Sequence, residues 1–128
     1  MQRFEPRGVI PACLLPFDQD LAIDERAYCS HLDDLLAVEG ITAITTNAHA
    51  SEVHALSFDE QRRVLALTKE TLGDRVATVA GVFTNGSLEA ARICAAPLRV
   101  DAIAIFEQPS REVPFALRRR FAFGREEA

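Results

Sequence analysis

The chain has 128 residues, 48% of them hydrophobic and 26% charged, with a formal net charge of −5 and an isoelectric point near 5.2. That composition is ordinary for one soluble globular domain, and its acidity argues against a nucleic-acid surface, which needs a basic patch to displace counterions. No apolar run is long enough to span a bilayer, and Met1 to Arg7 lack the apolar core of a signal peptide, so a cytoplasmic protein with no membrane partner is expected.

Val9 to Leu15 is a short apolar run closed by Pro16, which predicts a buried strand followed by a loop through Asp20. Asp24 is placed to cap a helix running to about Val38, with Tyr28, Leu32, Leu35 and Leu36 on one apolar stripe and Gly40 as its C-terminal cap. Ile41 to Thr46 is rich in β-branched residues and predicts a second strand, followed by a loop from Asn47 to Leu56. Ser57-Phe58-Asp59-Glu60 has the capping-box pattern and opens a helix to about Leu72, with Val64, Leu65, Thr68 and Leu72 facing inward until Gly73-Asp74 breaks it. Val76 to Val82 is the third strand, and Asn85-Gly86 marks a turn. A third helix is expected from Ser87 to about Ala95, broken by Pro97, before a fourth strand from Asp101 to Phe106. Strands that alternate with helices in one direction require a parallel sheet with crossover connections, and continuous apolar strands require both faces of that sheet to be covered.

Residues 1–106 therefore read as one α/β unit of parallel βα repeats. Residues 107–128 read as an irregular tail in which Arg118, Arg119 and Arg120 are solvated. The three cysteines, Cys13, Cys29 and Cys94, have neither the pairing of a disulfide framework nor the spacing of a zinc site, and they read as packing residues. No metal is expected, and His31 and His54 read as structural.

Parallel βα units carry their working residues at the C-terminal ends of the strands. Here those ends are Leu15-Pro16-Phe17, the stretch from Thr45 to Glu52, Val82-Phe83-Thr84 and Phe106-Glu107. The second stretch is richest in chemistry. His49 reads as a site residue, with Thr45, Thr46, Asn47, Pro16 and Phe17 as support. Glu52 reads two ways, as a brace that accepts backbone N–H bonds or as a site carboxylate.

The residues Gly8-Val9-Ile10-Pro11-Ala12, Leu15-Pro16-Phe17-Asp18 and Ile23-Asp24 resemble the first βα unit of the dihydrodipicolinate synthase and N-acetylneuraminate lyase family. Asn47-Ala48-His49-Ala50-Ser51-Glu52 followed by Leu56-Ser57 is similar to that family's Gly-Thr-Thr-Gly-Glu loop and the helix start after it. Val79-Ala80-Gly81-Val82 resembles its third strand and Asp101 to Phe106 its fourth, so the likeness covers about residues 7 to 106. The resemblance implies the first half of a (β/α)₈ barrel. It also implies a class I aldolase or related lyase, which joins a lysine to a small 2-keto acid such as pyruvate in a Schiff base without any cofactor. It assigns the keto-acid carboxylate to the loop of His49, Ala50, Ser51 and Glu52. Ala48 stands at the family's first Gly, His49 and Ala50 at its paired Thr positions, Ser51 at its second Gly and Glu52 at its Glu. The hydroxyl many members use is therefore replaced at Ala50, and a different 2-keto acid is expected.

A complete barrel of this kind takes about 250 residues. The resemblance puts the family's catalytic tyrosine on the fifth strand and its lysine on the sixth, beyond the stretch matched here. The lone lysine, Lys69, and the lone tyrosine, Tyr28, both fall in predicted helices, and Lys69 reads as solvated. The irregular residues after Glu107 and the short third helix fit a truncated or decayed gene copy, so the chain alone is expected not to complete the reaction. The other reading is a non-catalytic module that binds a small carboxylate or a protein partner. Such a module would self-associate through exposed sheet edges or pair with a full-length paralogue.

Overall fold

The computed structural model describes residues 4–84, 88, 92 and 100–106. The element order is α1 (Glu25–Leu36), β1 (Ala43–Thr46), two short 3₁₀ turns (His49–Ser51 and Val53–Ala55), α2 (Phe58–Leu72), β2 (Ala77–Phe83) and β3 (Ala102–Phe106). The three strands form a parallel sheet in the order β1-β2-β3, with Thr45 opposite Val79 and Phe83 opposite Phe106. The turn at Asn85-Gly86, Pro97 and the tail 107–128 lie outside the described residues. So does the third helix, apart from Leu88 and Arg92, which are helical.

The first predicted strand is replaced by an irregular segment. Residues 9–15 run parallel to β1 but touch it through two isolated bridges, Val9 with Ile41 and Ala12 with Thr45. The Val9 N–H donates to the Gly40 carbonyl and receives the Thr42 N–H in return, while further along Thr45 N–H donates to Pro11 O and Cys13 N–H to Thr45 O. The register slips by one residue between those pairs. Pro11 has no N–H to give at the point where a regular ladder would need one, so the ladder is interrupted there. On the outward side of this segment, the Leu14 N–H donates to Nε2 of His31 at 3.0 Å, which occupies one donor that a bare edge would offer to another chain. His31 is thus structural, as expected.

Helix α1 starts at the expected cap, with Asp24 Oδ1 accepting the Ala27 N–H at 2.9 Å. It stops at Leu36, capped by Ala37, whose N–H reaches Asp33 O. Gly40 is not the helix cap: it sits three residues later at φ +90°, where its carbonyl starts the pairing with Val9. Helix α2 has the full capping box, the Glu60 N–H donating to Ser57 Oγ and the Ser57 N–H to Glu60 Oε2. Those bonds to the Ser57 N–H hold the Glu60 carboxyl below its ordinary range. Arg63 on α2 grips Glu25 on α1 with two guanidinium bonds of 2.7 and 2.6 Å, joining the helices on their exposed side.

One face of the sheet packs on both helices. Ile44 and Cys13 join Tyr28, Leu32, Val64, Leu67 and Leu72 in one buried cluster. Side chains alternate along a strand, so Ala43 and Thr45 face the other side of the sheet. At the centre of the cluster lies Tyr28, fully buried, its hydroxyl 2.9 Å from Thr46 Oγ1, 2.8 Å from Thr68 Oγ1 and 3.3 Å from Cys13 Sγ. Thr68 donates its one proton to the Val64 carbonyl at 2.7 Å. It is therefore left to accept from the Tyr28 O–H, and Tyr28 in turn accepts from Thr46. Burial, with Cys13 alongside, pushes the Tyr28 phenol far above its ordinary pKa and keeps it neutral. Lys69 is partly solvated and also has a partner: its side chain is 27% exposed, and its ammonium lies 3.7 Å from Asp101, whose carboxylate also accepts the Thr78 N–H.

The two kinds of buried hydroxyl predict opposite outcomes. Tyr28→Phe removes the shorter of the two hydroxyl contacts of Thr46, leaving it Thr68 Oγ1 at 3.3 Å, and is expected to cost about 1 kcal/mol of unfolding free energy, the usual net worth of a buried hydrogen bond. Thr78 is also fully buried, yet its Oγ1 has no partner among the described residues. Thr78→Val keeps the shape and removes the orphan, so it is expected to leave stability unchanged or raise it by up to about 1 kcal/mol. Urea unfolding of the two variants beside the parent checks both signs.

Candidate functional site

The C-terminal ends of β1 and β2 lie side by side, and the chain leaving β1 folds over the end of β2. Asn47 begins this turn in the left-handed region at φ +52°. Its carbonyl swings across Gly81 of β2: a Cβ on Gly81 would lie 2.1 Å from the Asn47 oxygen and 2.9 Å from the Thr46 oxygen. No side chain fits there, so Gly81 is the residue that lets the loop cross. The Asn47 side chain is buried; its Nδ2 donates to Gln61 O at 3.0 Å, and its Oδ1 has no partner among the described residues.

The expected loop from Asn47 to Leu56 is ordered as two 3₁₀ turns hinged at Glu52, which holds φ +52°. Ala48 O accepts both the Ser51 and the Val53 N–H, and His49 O accepts the Glu52 N–H. The backbone N–H of Ala50 takes no part in these bonds, and Ala50 is exposed. His49 stacks edge-to-face on Phe83 at the end of β2, ring centroids 5.1 Å apart. His54 approaches the same ring at 6.3 Å. The two histidines and Phe83 thus form one wall at the strand ends. Sequence reasoning set His54 aside and named Phe83 only as part of a strand end; the signal was their shared position after neighbouring strands.

The other candidates separate by environment. Ser51 is fully buried, and its hydroxyl donates to Cys13 O at 2.7 Å. Thr46 points into the helix layer and serves the Tyr28 network, while Thr45 is held by its backbone bonds to Pro11 and Cys13. Pro16 and Phe17 close the turn into α1, with Pro16 O accepting the Asp24 N–H and Phe17 packed on the core. Glu52 is exposed, and its carboxylate accepts no backbone N–H among the described residues, so it does not brace the loop in that way. What faces outward from the strand ends is then His49, Ala50, Glu52 and His54. No group of three or more potential metal-ligating side chains occurs among the described residues. No helix there is long and apolar enough to cross a membrane.

Gly81→Ala is expected to destabilise the chain by about 2 kcal/mol or more, because the clash is with backbone that has no rotamer to move into. Thermal unfolding read by circular dichroism checks this, with a Tm within a degree of the parent as the contrary result.

Comparison with known proteins places this geometry. The family model for the dihydrodipicolinate synthetase family matches residues 5–104. The chain is 31% identical over 99 residues to the 4-hydroxy-tetrahydrodipicolinate synthase of Bartonella quintana, covering 77% of this chain and 33% of that protein. To the corresponding synthase of Agrobacterium fabrum it is 30% identical over 116 residues, covering 86% and 39%. The solved 4-hydroxy-tetrahydrodipicolinate synthase of Methylacidiphilum fumariolicum superposes with a TM-score of 0.76 at 25% identity, over 84% of this chain and 37% of that one. The dihydrodipicolinate synthase of Bacillus clausii gives 0.68 at 27%, over 75% and 33%. The chain spans between a third and two-fifths of the length of these relatives. Its crossing loop, the helix capped after it and the glycine beneath it lie within the matched residues, and the chain belongs to the dihydrodipicolinate synthetase family, its described part being a portion of that family's (β/α)₈ barrel.

Proposed function

We propose that the chain carries the carboxylate-holding loop of a Schiff-base lyase and binds a small 2-keto acid such as pyruvate without turning it over by itself. The observation that carries this reading is the loop from Ala48 to Ala55, set at the C-terminal ends of adjacent parallel strands with the Ala50 N–H outside its internal bonds. An anion needs convergent donors, and a backbone N–H beside an imidazole supplies them. Family membership supports the lyase class.

The chemistry of the two residues such a mechanism would call on argues against turnover. Lys69 lies against Asp101 near the N-terminal end of β3, the end of the sheet opposite the loop. An amine paired with a carboxylate at that end of the sheet is out of reach of a ligand held at the loop. The Tyr28 hydroxyl is fully buried and committed to Thr46 and Thr68, so it cannot relay protons to a bound substrate. The substrate would differ from that of members with paired hydroxyls, because His49 and Ala50 replace them with one imidazole and one methyl group.

Ligand-observed NMR with pyruvate, followed by borohydride treatment and peptide mass spectrometry, tests the reading. Weak saturable binding, with a Kd of about 1 mM and a free energy near −4 kcal/mol, is expected, with no reduced adduct on the Lys69 peptide. An adduct on Lys69 would show that the chain holds its own nucleophile, and absence of binding would remove the carboxylate loop as its function.

A further inference from the structure

We infer that Ser51 is a positioning residue that latches the loop to the first segment of the chain, fixing the backbone around Ala50 in its ligand-ready form. In a parallel ladder, a residue whose N–H reaches one carbonyl receives at its own carbonyl the N–H two residues further along the partner. Cys13 N–H donates to Thr45 O, so the donor due to Cys13 O is the Asn47 N–H. Asn47 has already turned to φ +52° to cross Gly81, and the ladder ends. The Ser51 hydroxyl supplies the missing donor, bonding Cys13 O at 2.7 Å across a separation of 38 residues.

The contact is sealed from water. Ser51 and Cys13 are both fully buried, and the Cys13 thiol lies 3.9 Å from Ser51 Oγ and 3.3 Å from the Tyr28 hydroxyl. The latch therefore ties the loop to the rigid centre of the core. The same residue bonds Ala48 O through its own N–H, so it holds the first 3₁₀ turn from within as well as from below. Ser51 stands where the family pattern has glycine, which offers no hydroxyl. The consequence for ligand binding rests on the carboxylate reading above; the consequence for loop rigidity does not.

The test uses the full chain with Ser51→Ala and Ser51→Gly, measuring amide hydrogen exchange and pyruvate affinity together. Exchange of the Ser51, Glu52 and Val53 amides is expected to rise about tenfold, with that of Leu32 and Ile44 unchanged and pyruvate Kd weakened three- to tenfold, the factor one buried hydrogen bond commands. Unchanged exchange in the loop would overturn the latch. An equal rise across loop and core would overturn the positioning role, since Ser51 would then act on global stability. If the parent chain binds no pyruvate, the carboxylate reading fails, and the latch stands or falls on the exchange pattern alone.

Discussion

The hydroxyl of Tyr28 sits where four parts of the chain meet: the first segment at Cys13, its own helix α1, strand β1 at Thr46 and helix α2 at Thr68. A buried polar group without partners costs about 1–3 kcal/mol, and here the hydroxyls of Tyr28, Thr46 and Thr68 supply partners to one another, with Thr68 also anchored on Val64 O. The arrangement is directional. Thr68 spends its proton on Val64 O, which makes it an acceptor for Tyr28 and leaves Tyr28 to accept from Thr46. Apolar packing alone would let the helices slide on the sheet, whereas a chain of hydrogen bonds with one proton apiece specifies how they sit.

The loop at the strand ends inherits its position from this centre. Thr46 is locked into the helix layer, Asn47 turns immediately after it, and the turn lands on Gly81 because only a residue without a side chain can lie under it. Ser51 then returns to Cys13, itself part of the same buried network. The outward-facing His49, Ala50, Glu52 and His54 are displayed by residues that are themselves unavailable to a ligand. That division of labour explains why Ser51 and Thr46, hydroxyl residues in a site-like stretch, have no exposed chemistry of their own.

Much of this was legible in the sequence. The capping box at Ser57-Glu60 and the Asp24 cap follow from local rules whose partners lie within four residues, and the family resemblance located the loop. What the sequence hid depends on distant partners. The slip at Pro11 is a property of a pair of strands, since a missing N–H matters only opposite a carbonyl that wants it. The ion pair of the partly exposed Lys69 was hidden too, because its partner Asp101 is far along the chain. Tyr28 was read as one of several apolar positions on a helix stripe, because the stripe reports burial and says nothing of where a phenol finds its hydrogen bonds. Phe83 joined the site only once β2 was set beside β1.

Tyr28 and its threonines act as a unit. A double-mutant cycle tests it most directly, comparing unfolding free energies of Tyr28→Phe, Thr68→Val and the double variant with that of the parent. The network predicts a coupling of about 1 kcal/mol or more between the two sites, the double variant being less damaged than the sum of the singles. Additive losses within about 0.3 kcal/mol would show that the two residues stabilise the fold independently, and would contradict the account.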